Sequence, residues 1–176
     1  MPKLALPAAL SLTVATVATA ANAAPPPQIP NPKIDYAAYL KVAEEVEATR
    51  RERRLTEEQF IAMAAQPGTV VLDARSADKF RLLHIKGAVS LPFTDFTAET
   101  LAQVIPSKDT RILIYCNNNF RGDETAFATK AAPASLNIST YVNLAIYGYR
   151  NIYELGPLLD VKHTKLSLET TAGAPD

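Results

Sequence analysis

Chemistry-bearing side chains are few: the chain of 176 residues has one Cys and two His. Cys116 directly follows the apolar run Arg111-Ile112-Leu113-Ile114-Tyr115 and precedes Asn117-Asn118-Asn119-Phe120-Arg121-Gly122. A short continuous β-branched run reads as a strand buried on both faces. In an open parallel sheet, ligands bind beyond the carboxyl ends of the strands. The Asn-rich segment tolerates turn and left-handed geometry, so its N–H groups are expected to converge as a nest for an anion. A helix is predicted to open around Gly122-Asp123-Glu124, its positive end facing the same point. A thiol held there has its ionised, nucleophilic form favoured, and Arg121 adds a permanent positive charge at the far lip. The competing reading, a small core residue at a strand end, leaves the Asn triplet and Phe-Arg-Gly without a purpose.

Composition narrows the class. With 48% hydrophobic and 20% charged residues, the chain fits one globular domain with an extension. Lys plus Arg equals Asp plus Glu at 18 each, which argues against a nucleic-acid binder or a polybasic membrane-surface protein. One Cys and two His exclude a disulfide framework and a multi-cysteine zinc site, so no metal is expected.

The elements that must position Cys116 follow from patterning. Residues 1–23 read as a cleaved export signal: Lys3, the apolar stretch Leu4 to Val17, then Ala21-Asn22-Ala23. The 18 uncharged residues from Leu4 to Ala21 sit at the lower end for a spanning helix and contain Pro7, so no membrane span is expected after cleavage. Removal of Lys3 leaves 17 basic against 18 acidic residues. Export to the periplasm or beyond leaves the lone thiol without an internal partner, either buried and inert or chemically employed. Residues 24–34 form a linker, with five prolines from Ala24 to Pro32. Residues 35–54 form a charged helix, in which Arg50-Arg51-Glu52-Arg53-Arg54 reads as a solvated face rather than an anion-binding patch. Thr56 to Gln59 is a capping box stapled by Leu55 and Phe60, so a second helix runs from Thr56 to before Pro67-Gly68. Strands are predicted at 69–73, 89–91, 111–115 and 151–155, and helices at 77–83, 97–104, 122–132 and about 140–147. Alternating strands and helices give an α/β fold with an open parallel sheet of four to five strands, helices on both faces and an N-terminal helical extension. The domain spans 55–160, and 161–176 is a tail.

Five segments in order resemble the rhodanese family over roughly Leu55 to Leu159. Val71-Leu72-Asp73-Ala74-Arg75 resembles its first signature strand, and Phe80 with His84-Ile85-Lys86-Gly87-Ala88 the signature after the first helix. Leu91-Pro92 is similar to the hydrophobic-Pro that follows. Tyr115-Cys116 with Arg121 resembles the active loop, and Gly148-Tyr149 with Asn151-Ile152-Tyr153 the last strand. Four residues separate Cys116 from Arg121, as in sulfurtransferases; related phosphatase and arsenate-reductase loops carry five. The resemblance implies that Cys116 takes sulfur from a donor such as thiosulfate as a persulfide. It implies that residues 117–122 hold the anion and that a thiol or protein acceptor removes the sulfur, with no cofactor. Asp73, Arg75 and His84 are expected to be structural rather than catalytic.

Two function classes remain: a sulfurtransferase with Cys116 as nucleophile, and a module of the same fold binding an anion or a protein partner without turnover. The second is motivated by the neutral Asn triplet and by Gly122, which stands where a hydroxyl residue often follows the arginine.

Overall fold

Helix starts in this chain are specified by short polar side chains. Asp35 accepts the Ala38 N–H at 2.8 Å and opens α1 (Tyr36–Glu52). After β1 (Arg54–Leu55), Thr56 and Gln59 form the expected reciprocal capping box of α2 (Glu57–Ala64). The remaining elements are β2 (Thr69–Asp73), α3 (Ala77–Leu82), β3 (His84–Ile85), β4 (Val89–Ser90) and α4 (Ala98–Val104). They continue with β5 (Arg111–Tyr115), β6 (Phe120–Arg121), α5 (Leu136–Ile146), β7 (Ile152–Leu155), β8 (Leu159–Asp160) and β9 (Leu168–Glu169). This computed structural model describes residues 29–171. The expected export signal at 1–23 and the first five residues of the 24–34 linker lie outside the described residues, as does the end of the 161–176 tail. No helix among the described residues is long and apolar enough to cross a membrane.

The central sheet has five parallel strands in the order β1-β7-β5-β2-β4. Side chains alternate across it. Val71, Leu113 and Tyr115 face one core with Phe60, Phe120, Phe127 and Leu155, while Leu72, Ile112 and Ile114 face the other with Leu101, Tyr141 and Leu144. Both faces are therefore dry, and the central strands read as unbroken apolar runs for that reason. The fifth strand comes from the end of the charged segment. The predicted 35–54 helix stops at Glu52, and Arg54 leaves it to pair with Glu154 of β7.

Behind the sheet's carboxyl end, Asp73 and Arg75 form a buried ion pair at 2.6 Å. Arg75 also donates to the Ala126 and Leu83 carbonyls at 2.9 and 2.7 Å. Burial, followed by the Asp73 carboxylate, pushes the Tyr115 hydroxyl well above its ordinary value. His84 stacks on Phe80 with ring centroids 3.7 Å apart, and its Nδ1 lies 2.8 Å from the Phe80 carbonyl.

The helix expected at 122–132 does not form; the segment is one turn followed by extended chain. Gly122 sits at φ +88°, in the left-handed region. Asp123 closes a single turn, accepting the Ala126 N–H at 2.9 Å. The carbonyls that a continuing helix would use are taken by side chains: Thr125 by Lys79 and Ala126 by Arg75. Conversely, α5 begins at Leu136, four residues before the predicted start near 140. The residues after Asp160, expected as a tail, hold to the domain through buried Leu166 and the antiparallel pairing of β9 with β3.

Candidate active site

Cys116 directly follows β5, is 1% exposed and lines a cavity of about 320 Å³, at the small end of ligand sites. Asn117–Asn119 form one 3-10 turn with Cys116 at its N-cap. The Asn119 side chain accepts the Cys116 N–H at 2.9 Å, and the sulfur faces the Asn119 amide. Of the amides expected to converge as a nest, that of Asn119 meets the sulfur, within a turn in which positive φ is confined to Gly122. The Asn119 N–H also bonds the Cys116 carbonyl at 3.1 Å, and the Phe120 N–H bonds the Asn117 carbonyl.

The asparagines act through their side chains. Asn119 donates to the Leu155 and Pro157 carbonyls at 2.7 and 3.2 Å and accepts from Asn137 at 3.0 Å. These bonds fix both amide orientations and leave Asn137 Oδ1 buried without a partner among the described residues. Asn118 clamps Lys130, donating to its carbonyl and accepting its N–H, both at 2.9 Å.

The predicted site residues thus divide. Cys116, Asn118 and Asn119 line the cavity, whereas Asn117, Phe120, Arg121 and Gly122 do not. Phe120 packs in the core against Phe127, with ring centroids 4.5 Å apart. Arg121 is carried by β6 toward Asp160 of β8, at 3.7 Å, and is two-thirds exposed. The pairing of β6 with β8 is the reason: it turns the chain away from the cavity directly after the 3-10 turn.

Three polar residues absent from the predicted set, Ser135, Arg50 and Arg54, line the cavity. Ser135 Oγ lies 3.5 Å from the Cys116 sulfur. Ser135 precedes α5 but makes no capping bond, so its hydroxyl is left to the thiol. With Asn137 and Ile138 it lines the cavity, so the positive helix end at the site is that of α5 rather than of a helix at 122–132. The cations are Arg50 and Arg54, which line the same cavity and hold Glu154. Glu154 is 1% exposed; burial pushes its carboxyl up, against the lowering pull of Arg50 and Arg54. Ser135 carries no local signal, because only the chain's path brings it to Cys116. Arg50 and Arg54 lie in a run that a helical pattern alone reads as solvated, their partner being about a hundred residues away.

A thiol, a hydroxyl and two guanidiniums around one small cavity suit nucleophilic attack on an anionic substrate. Among the described residues no cluster of His, Cys, Asp and Glu could hold a metal ion.

The chain is similar in fold to the BH2092 protein from Bacillus halodurans, at 18% identity and TM-score 0.51, over 75% of this chain and 87% of that one. A thiosulfate sulfurtransferase from Pseudomonas aeruginosa matches at 23% identity and TM-score 0.48, over 78% of this chain but 25% of that one. A rhodanese from E. coli with anions matches at 18% identity and TM-score 0.40, over 58% and 98%. No curated protein matches the chain. The family model described as Rhodanese-like domain matches residues 56–156, more than half of the 176. On that match, which takes in Cys116 and four of the five strands of the central sheet, the chain belongs to the rhodanese-like domain family.

Proposed function

We propose that this protein is a sulfurtransferase, exported from the cytoplasm, that moves sulfane sulfur from a donor such as thiosulfate to a thiophilic acceptor. Its carrier is a persulfide on Cys116. One observation supports this reading above the others: the chain's only thiol opens into a small cavity with a hydroxyl and two arginines on its wall. In the first half-reaction the Cys116 thiolate attacks the outer sulfur of thiosulfate. An S–S bond forms, the bond to the sulfonate sulfur breaks, and its electron pair leaves with sulfite. In the second, a nucleophile such as cyanide or a thiolate attacks the outer sulfur, and Cys116 leaves as thiolate. The two halves balance without an external oxidant or cofactor. Ser135 Oγ and the Asn119 N–H are the nearest donors to the charge on sulfur, each a charge-assisted hydrogen bond.

The test is turnover: thiocyanate formed from thiosulfate and cyanide by the wild-type protein and by Cys116→Ser. Catalytic turnover that vanishes in Cys116→Ser supports the reading; no turnover with either protein refutes it. A second reading, an anion- or partner-binding module without turnover, is favoured by Arg121, which β6 carries to Asp160 and away from the cavity. Tight anion binding without sulfur transfer would select it.

A further inference from the structure

The positive charge at the Cys116 cavity comes from outside the segment that the family model matches. Arg50 stands in the last turn of α1 and Arg54 in β1, both before residue 56. Arg50 grips Glu154 with two bonds, Nε to Oε2 at 3.0 Å and Nη2 to Oε1 at 2.9 Å. Arg54 Nε forms an ion pair with Oε1 at 2.9 Å, and its Nη2 donates to the Gly156 carbonyl at 3.0 Å. Nη1 of each arginine has no protein acceptor among the described residues. Glu154 is the one acidic residue on the cavity wall, so two guanidiniums against one carboxylate leave a net positive charge there. Arg121, which the family resemblance nominates for holding the anion, is turned to Asp160 instead.

We infer that Arg50 and Arg54, which precede the matched domain, bind the oxyanion end of the sulfur donor. The inference rests on the proposed sulfurtransferase reading. Guanidinium planes match the oxygens of a sulfonate through paired N–H donors. With those oxygens on the arginines, the outer sulfur points to Cys116 across the cavity. When the S–S bond forms, the arginines hold the charge that gathers on departing sulfite. Glu154 is a positioning residue: buried, it fixes both guanidiniums while leaving a donor of each to the ligand. The arrangement also makes α1 a part of the site rather than an appendage to it.

Thiosulfate titrated calorimetrically into Cys116→Ser measures binding without reaction. Arg54→Gln, at a half-exposed position, is expected to weaken binding about tenfold or more, as is Arg50→Gln. Glu154→Gln, which keeps an acceptor and removes a charge, is expected to tighten it. In the reactive chain Arg50→Gln and Arg54→Gln raise KM for thiosulfate, and Arg54→Lys, which keeps the charge, recovers part of that loss, a rescue that a general structural defect would not give. If Arg50→Gln fails to fold, Arg54→Gln decides. No thiosulfate binding, binding indifferent to both arginines, or loss of binding in Arg121→Gln alone overturns the inference. Arginine-dependent binding without sulfur transfer retains the anion subsite and refutes the enzyme. Sulfur transfer with arginine-independent binding does the reverse.

Discussion

Replacing Asn119 tests whether its side chain, rather than its backbone freedom, organises the Cys116 loop. The side chain makes four hydrogen bonds, to the Cys116 N–H, to Asn137 and to the Leu155 and Pro157 carbonyls, and it is 5% exposed. At roughly 0.5–1.5 kcal/mol net for each bond, and with the Cys116 N–H and Leu155 carbonyl left buried and unpaired, Asn119→Ala is expected to cost about 3–5 kcal/mol. That is a large part of the total stability of a typical domain, about 5–15 kcal/mol. Asn119→Asp isolates the donors: volume is kept, but two N–H groups become a carboxylate oxygen facing two carbonyls. We expect a loss of about 2–4 kcal/mol at pH 7. Protonation restores one donor, so the folded pKa of the new carboxyl rises above its unfolded value of about 3.9. A raised folded value gives stability that is present below the unfolded pKa and lost as pH rises. The deficit of Asn119→Asp should therefore shrink as pH falls from 7 toward 4. Urea denaturation at several pH values reads all of this. A midpoint for Asn119→Asp equal to wild type at pH 7, or a cost for Asn119→Ala below about 1 kcal/mol, would refute the reasoning.

Three further outcomes are expected. Arg75→Ala strips a fully buried ion pair and two carbonyl bonds, costing about 3–5 kcal/mol in urea denaturation; a loss below about 1 kcal/mol would contradict the structural role given to the pair. Glu154, whose carboxyl burial raises above its ordinary 4.5, contributes stability that is greatest below that value and declines as pH rises through the folded one. Wild type should therefore gain on Glu154→Gln between pH 7.5 and 5, and parallel denaturation profiles would count against it. Gly156→Ala would set a Cβ 3.0 Å from the Leu55 carbonyl, displacing β1 and lowering stability by about 1–3 kcal/mol, a change that thermal unfolding would register; an unchanged midpoint would show the contact to be soft.

The scaffold was legible where local chemistry and tertiary packing agree. The Val71–Leu113 core strands lie inside unbroken apolar runs, and Thr56 with Gln59 forms its box from residues three apart. Asp73 and Arg75 pair across two residues, a distance that any sequence exposes. The site was legible only at Cys116 and in part of its loop. Residues 122–132 have helical spacing, yet Arg75 and Lys79 capture the carbonyls a helix requires. Ser135, Arg50 and Arg54 reach the Cys116 cavity across nineteen residues of chain or more, which no periodicity records. Asn119 was expected to serve by tolerating a left-handed backbone; it serves by hydrogen bonds to β7 and α5, partners invisible in a loop read alone.

Intact mass spectrometry of the folded protein after exposure to thiosulfate addresses the central claim most directly. The account predicts a gain of one sulfur atom located on Cys116, absent in Cys116→Ser, and removed by cyanide with recovery of the starting mass. A protein that gains nothing while its thiol remains reduced, or that gains the same mass in Cys116→Ser, would contradict it.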